Sequence, residues 1–564
     1  MNMIKRMIAL ALAVVMIFTL SACDFLGDSM GLFESLASAS DMLDQIGSLD
    51  QISMEDIAAM MPDGIEPTGN VDYNGDKTPT SGITLDELKA QLNEVRKNDT
   101  RTNLSGSDKY LPDYKSEAFK AIEFSDAELA ELSKARGGVA QITTQQAQDD
   151  IDTLQRIFKT AYAPYEYFGG DEVFDKAFDN MRAAVSSSSS TNISTTVFND
   201  MIVKNLDFIV DSHLTIGSES MNFEEQVYYY DRDKTEFSHN DKGYYTNVEG
   251  RDFYLNEEFN DYMRLTVGKT GELVYTFIAL SGEKNNSALP ASFKLTAEDG
   301  TTATYTIKWV TDRYPYAYEL TWNENVGGIP MTGIGAMMVD NDYCISLMND
   351  FVNHAKDLKD EDVIILDLRG NMGGLSTISY MWLYNLTGGK EVEGEYSMVY
   401  YMSKLNSFVT DGNNDEIYDA LEKFDFFKEN PDQMEELRNE EEDKPGEAYV
   451  YDTEDMWVER PNTVFVLCDK AVSSAGEMFI MQMMDVENVV VFGTNSNGCL
   501  ISGGTNYYVP LYLPNSGLRV YYSTVLMMTD DPTDFDKVGV QPDVIICGED
   551  EAEAAARCWN FYNK

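Results

Sequence analysis

Two stretches a hundred residues apart most constrain what this chain can fold into. They read VIILDLRGNMGG (363–374) and TVFVLCDKAVSSAGEMF (463–479). Each is an apolar, β-branched run that ends in small residues, the pattern of a buried strand feeding a tight turn. In the first, Gly370, Gly373 and Gly374 let the backbone come close to a ligand and expose its N–H groups. In the second, Ser474 stands where the strand gives way to a helix, AGEMFIMQMM. A hydroxyl there lies near the positive end of a helix, a placement suited to a nucleophile. Either segment alone reads as an ordinary turn.

Together, the DLRGNxGG run and the later S-A-x-E (Ser474, Ala475, Gly476, Glu477) resemble the tail-specific and tricorn-core serine peptidases, the C-terminal processing peptidase superfamily. The resemblance continues through GTNSNG (493–498) and GVQPDV (539–544). It covers about 330–548 well and the region from about 148 more loosely. It implies an α/β catalytic core of crotonase-like strand–helix layers, with Ser474 as nucleophile. Ser473 is the alternative serine and reads as a turn residue.

The base can be sought among only three histidines. His213, in LDFIVDSHLTIG, closes an apolar, helical-looking stretch beside Ser212. Tricorn-type members place a Ser-His pair at such a position, with the histidine as general base. His239 sits in a polar run that reads as a solvated loop, and His354 on a helix where surface or packing roles are usual. The tail-specific branch instead uses a lysine about 25 residues after the serine. That count lands on Cys499, and Lys470 precedes the serine, so the resemblance implies Ser-His chemistry without a catalytic lysine.

Tricorn-like relatives carry an orienting glutamate three residues before the Gly-Val of GVxPD. Here that position is Asp536, which reads equally as a solvated loop acid. The implied oxyanion donors are the N–H groups of Ala475 and of a glycine in GNMGG, with Gly373 ahead of Gly374. Asp367 and Arg369 read as residues that hold the turn.

At the N-terminus, Lys5 and Arg6 precede an apolar run over 7–20 and then Ser21, Ala22 and Cys23. This reads as a secretory signal, shorter than a spanning helix of about 20 residues. Leu-Ser-Ala-Cys also matches the bacterial lipobox, which implies cleavage before Cys23, its lipidation, and attachment to the bacterial cell membrane on the extracytoplasmic side. A plain signal peptide is the other reading. The remaining cysteines, Cys344, Cys468, Cys499, Cys547 and Cys558, show no CxxC pair and no zinc spacing. They read as buried small hydrophobes, with one disulfide left open. No metal or organic cofactor is expected.

The 564 residues suffice for two or three domains, and 43% hydrophobic content argues for a folded chain despite a net charge of −54. Loss of Lys5 and Arg6 with the signal leaves 40 basic side chains against 96 acidic, a net −56. Such a charge disfavours nucleic acid and anionic lipid headgroups as partners. The segments read as signal (1–22), flexible tether (23–82), helical N-terminal domain (83–222), small β-rich domain (223–328) and α/β peptidase domain (329–564). An acidic insertion at about 403–458 reads either as a lid or as a solvated excursion.

The expected activity is that of a lipid-anchored serine endopeptidase acting on peptides or unfolded protein, of unknown oligomeric state. The competing expectation is a catalytically inactive relative that binds peptides or proteins at the cell surface. A solute-binding lipoprotein fits the lipobox but leaves S-A-x-E unexplained.

Overall fold

The computed structural model describes residues 82–98, 107–221, 226–248, 251–282, 289–311, 319–392, 397–440, 446, 448–452, 457–507, 509–528 and 538–564. The signal, Cys23, nearly all of the tether and Asp536 lie outside the described residues. Among the described residues, no helix is long and apolar enough to cross a membrane.

The centre of the mixed α/β fold is a six-stranded sheet. Its edge is an antiparallel hairpin, Thr321–Val326 with Ile329–Ile334. Parallel strands follow at Val363–Asp367, Thr463–Cys468, Val489–Gly493 and Val544–Ile545. The first three of these are buried at every position, which is why they read as unbroken apolar runs rather than alternating ones. Side chains from Ile364, Leu366, Val464, Val466, Val489 and Val491 share one core with helices Asp342–Leu358, Thr377–Thr387 and Ala475–Met484. Their alternates Ile365, Phe465, Leu467, Val490 and Phe492 pack on helices Leu85–Asn98 and Glu551–Asn563. Alternation along a strand thus feeds two cores from one sheet.

The strand Thr321–Val326 belongs to this sheet although it precedes residue 329, because it pairs antiparallel with Ile329–Ile334 along its whole length. Residues 226–311 form two further antiparallel sheets. Phe237, Phe277 and Phe293 pack between them. Helices Thr144–Ala161, Gly170–Ser186 and Thr195–Asn205 precede them. Their core also takes in Leu511, Leu513, Val520 and Tyr522, together with Leu405 and Val409 of the insertion. The helical region is therefore continuous in packing with the segment that follows the helix Ala475–Met484. Other insertion side chains, Leu421, Phe424, Phe426 and Phe427, are buried against the main core. Their apolar surface anchors the insertion, whereas acidity alone reads as solvent.

His213 lies on a strand, Asp211–Ile216, and not on a helix end. The helix stops at Asn205, and Ile216 and Thr215 pair with Val520 and Tyr521. His239 is also on a strand, its ring against Tyr244 and Tyr275. His354 is helical and lies beside Asp357.

Candidate active site

Ser474 terminates the turn after Thr463–Cys468 and opens the helix Ala475–Met484. Its φ of 54° and ψ of −125° are rare for a residue with a side chain. Such backbone costs on the order of 1–3 kcal/mol and persists only where its surroundings impose it. The surroundings here centre on Glu477. Its buried carboxylate accepts the N–H groups of Ser474 at 2.8 Å, Gly498 at 2.7 Å and Cys499 at 2.8 Å, and the hydroxyl of Ser496 at 2.5 Å. Burial pushes this carboxyl above its usual range, while the four donors pull it back.

The first glycine turn reaches the same place. Asn371 O accepts the Ser473 N–H at 2.9 Å. A Cβ on Gly373 would fall 2.8 Å from Ser473 O and 2.9 Å from Ser474 Cβ, so no other residue fits that approach. Asp469 Oδ1 ties the two turns by accepting from Gly370 and Ala471, both at 3.0 Å. Burial raises its carboxyl to about 6. Arg369 forks onto Asp367 at 2.8 and 2.7 Å and onto Glu551 at 2.5 Å, clamping the turn as its sequence context indicates.

Opposite stands His213, its Nε2 2.9 Å from Ser474 Oγ across 261 residues of chain. The strand register shifts between Asp211 and Thr215. An irregularity of that kind re-aims side chains, and His213 sits within it. Burial holds the imidazole below its ordinary value, with the Asp211 charge acting in the other direction. Around the ring lie Cys499 Sγ, 3.5 Å from Nδ1, and Ser502 Oγ, also 3.5 Å from Nδ1. Asp211 accepts from the His213 N–H at 2.9 Å, Ser502 Oγ at 2.7 Å and Tyr162 Oη at 2.7 Å.

Residues 329–546 match the model of peptidase family S41. Over that stretch, less than half of the chain, the sequence is similar to the family S41 peptidases. No curated protein matches it. Among solved structures, mature CPAF complexed with lactacystin is 13% identical, with 73% of this chain and 96% of that one covered and a TM-score of 0.39. The photosystem II D1 C-terminal processing protease is 12% identical over 72% and 92%, with a TM-score of 0.30. A putative peptidase from Parabacteroides merdae is 14% identical over 72% and 90%, with a TM-score of 0.31.

Of the residues singled out by sequence, Ser474, His213, Ala475, Gly373 and Gly374 converge. Ser212 adjoins the histidine on its strand. The Gly373 N–H, expected to face an oxyanion, donates instead to Asn371 Oδ1 at 2.8 Å. A two-residue side-chain turn captures it, and the N–H groups of Gly374 and Ala475 have no acceptor among the described residues. Cys499 takes the place of the absent lysine and lies against the imidazole. Lys470 Nζ donates to the carbonyls of Ser496 and Asn497 at 3.1 and 3.0 Å, holding the 493–498 turn. Sequence reasoning missed Asp211 and Ser502. The first was visible as part of D-S-H, but nothing in LISGG marked the second.

The five described cysteines are buried as thiols. Among the described residues, no group of three or more His, Cys, Asp or Glu side chains is placed to hold a metal ion.

Proposed function

We propose that this chain is a serine endopeptidase that cleaves peptides or unfolded protein by Ser-His chemistry. The observation that carries this reading is the 2.9 Å contact of His213 Nε2 with a Ser474 hydroxyl held on strained backbone. Ser474 attacks the scissile carbonyl as His213 takes its proton, and the imidazolium then protonates the leaving amine. The N–H groups of Ala475 and Gly374 receive the oxyanion. Gly373 joins them only by exchanging Asn371 Oδ1 for substrate. Each donor is worth on the order of 10²-fold in rate. Ser212 and Asp536 are proposed supports for the histidine, on the strength of the sequence resemblance.

The lipobox supports anchoring of the mature chain through Cys23 on the extracytoplasmic side of a bacterial membrane. Incorporation of a clickable fatty acid that is lost in Cys23→Ala tests this. For the activity, the purified protein is incubated with an unbiased peptide mixture and the products are read by mass spectrometry, alongside Ser474→Ala and His213→Ala. Cleavage that disappears in both variants is expected. Cleavage that persists in either overturns the Ser-His mechanism, and none by the unmodified protein overturns the peptidase reading.

A further inference from the structure

We propose that Asp211 and Ser502 form a serine-bridged carboxylate relay that fixes the tautomer of His213 and supports its protonated form. The proposal rests on the serine-peptidase reading of the site. It follows from counting protons and lone pairs.

Asp211 is fully buried, and an ionised carboxylate only accepts hydrogen bonds. It lies 2.7 Å from Ser502 Oγ, so the single Ser502 hydroxyl proton is committed to Asp211. Two lone pairs remain on Ser502 Oγ. One receives the hydroxyl proton of Ser523 at 2.8 Å. The other is left for a donor, and His213 Nδ1 stands 3.5 Å away. The proton of a neutral ring therefore belongs on Nδ1. Nε2 then carries the lone pair that faces Ser474 Oγ, the tautomer a general base needs.

The neighbours agree with this assignment. Cys499 Sγ, at the same distance from Nδ1, is weak both as donor and as acceptor and competes poorly with a hydroxyl oxygen. Tyr162 donates to the second oxygen of Asp211 at 2.7 Å, which holds the carboxylate in place. Asp211 also accepts the His213 backbone N–H, so the anion is fixed to the same bulged strand as the ring it serves. When His213 takes the Ser474 proton, Nδ1–H becomes a charged donor. Its contact with Ser502 then tightens, as such contacts do on going from the free enzyme to the reacting complex. Asp211 and Ser502 are positioning residues: neither touches the reacting atoms.

The test uses the full chain with Ser502→Ala, Ser502→Thr and Asp211→Asn. The readouts are kcat, KM, the pH profile on a cleaved peptide, and ring nitrogen NMR of the histidines, only three in number. Ser502→Ala is expected to lower kcat about tenfold or more, a fraction of what a positioned base contributes, with little change in KM. The acid limb of the profile is expected to move to lower pH, because the imidazolium loses its support. The Nδ1–H tautomer signal of His213 is expected to be lost, and Ser502→Thr, which keeps the hydroxyl, to restore a large part of each effect. Unchanged kcat, acid limb and tautomer in folded Ser502→Ala would overturn the relay, and this variant decides the matter even if Asp211→Asn does not fold. If the unmodified protein cleaves nothing, the peptidase reading fails by itself. The NMR still decides the relay: Nδ1–H present and lost in Ser502→Ala supports it, and a proton on Nε2 in the unmodified protein overturns it.

Discussion

The carboxylate of Glu477 receives the backbone N–H of Ser474 at 2.8 Å from one helical turn further along. The same group holds Ser496, Gly498 and Cys499 of the facing turn. One buried anion thus sets both the backbone of Ser474 and the wall beside His213.

Glu477→Ala leaves four buried donors without an acceptor. At roughly 1–3 kcal/mol for each unsatisfied group, less in sum than in parts, a loss of about 3 kcal/mol or more is expected. Urea unfolding followed by fluorescence measures it, and hydrolysis falls in the same variant because Ser474 relaxes from φ 54°.

Ser473 and Ser474 are adjacent, but only the second meets an imidazole. A serine-directed fluorophosphonate is expected to label the unmodified protein and Ser473→Ala, and to leave Ser474→Ala unlabelled. Peptide mapping of the adduct reads the position directly.

The lowered pKa of His213 has a definite sign in activity and in stability. Burial favours the neutral ring, so the base stays competent below its ordinary value of 6.5, and the acid limb of kcat/KM falls under that pH. The unfolded chain then binds more protons at this site between the folded value and 6.5. The site's contribution to stability is therefore lost as pH falls through that window. A pH–rate profile checks the first statement; the difference in urea midpoint between the unmodified protein and His213→Gln, followed with pH, checks the second.

A Cβ at Gly374 would lie 2.2 Å from Met337 O, with φ at +127°. Gly374→Ala is expected to lower stability by about 1–3 kcal/mol and kcat more steeply, as the turn moves away from Ala475. Gly137 has nothing within 4 Å of its built Cβ, so Gly137→Ala is the matched control, expected within about 0.5 kcal/mol of the unmodified protein.

Helix Leu85–Asn98 docks through Arg96, whose Nη2 donates to both oxygens of Asp543 at 2.9 Å and whose Nη1 donates to Val489 O at 2.8 Å. Burial pushes the Asp543 carboxyl up, and Arg96 offsets it. Arg96→Ala strands that charge, and a loss of about 3–5 kcal/mol in denaturant unfolding is expected.

The sequence by itself determined the local parts of this protein. Buried parallel strands read as unbroken apolar runs because both their faces are covered, as at Val363–Asp367 and Thr463–Cys468. Gly373 and Gly374 were legible because only glycine tolerates that backbone so close to Ser474 in the first case and to Met337 in the second. His213 could be picked out because the chain has so few histidines, yet its strand, its bulge and its neighbours could not. The tertiary structure alone decided that Asp211, Ser502 and Cys499 surround the imidazole, that the Gly373 N–H turns to Asn371, and that the insertion's phenylalanines are interior. The physical reason is range: strand and turn signals arise between near neighbours, whereas a hydroxyl 289 residues from the histidine acquires its role only when separate strands are packed side by side.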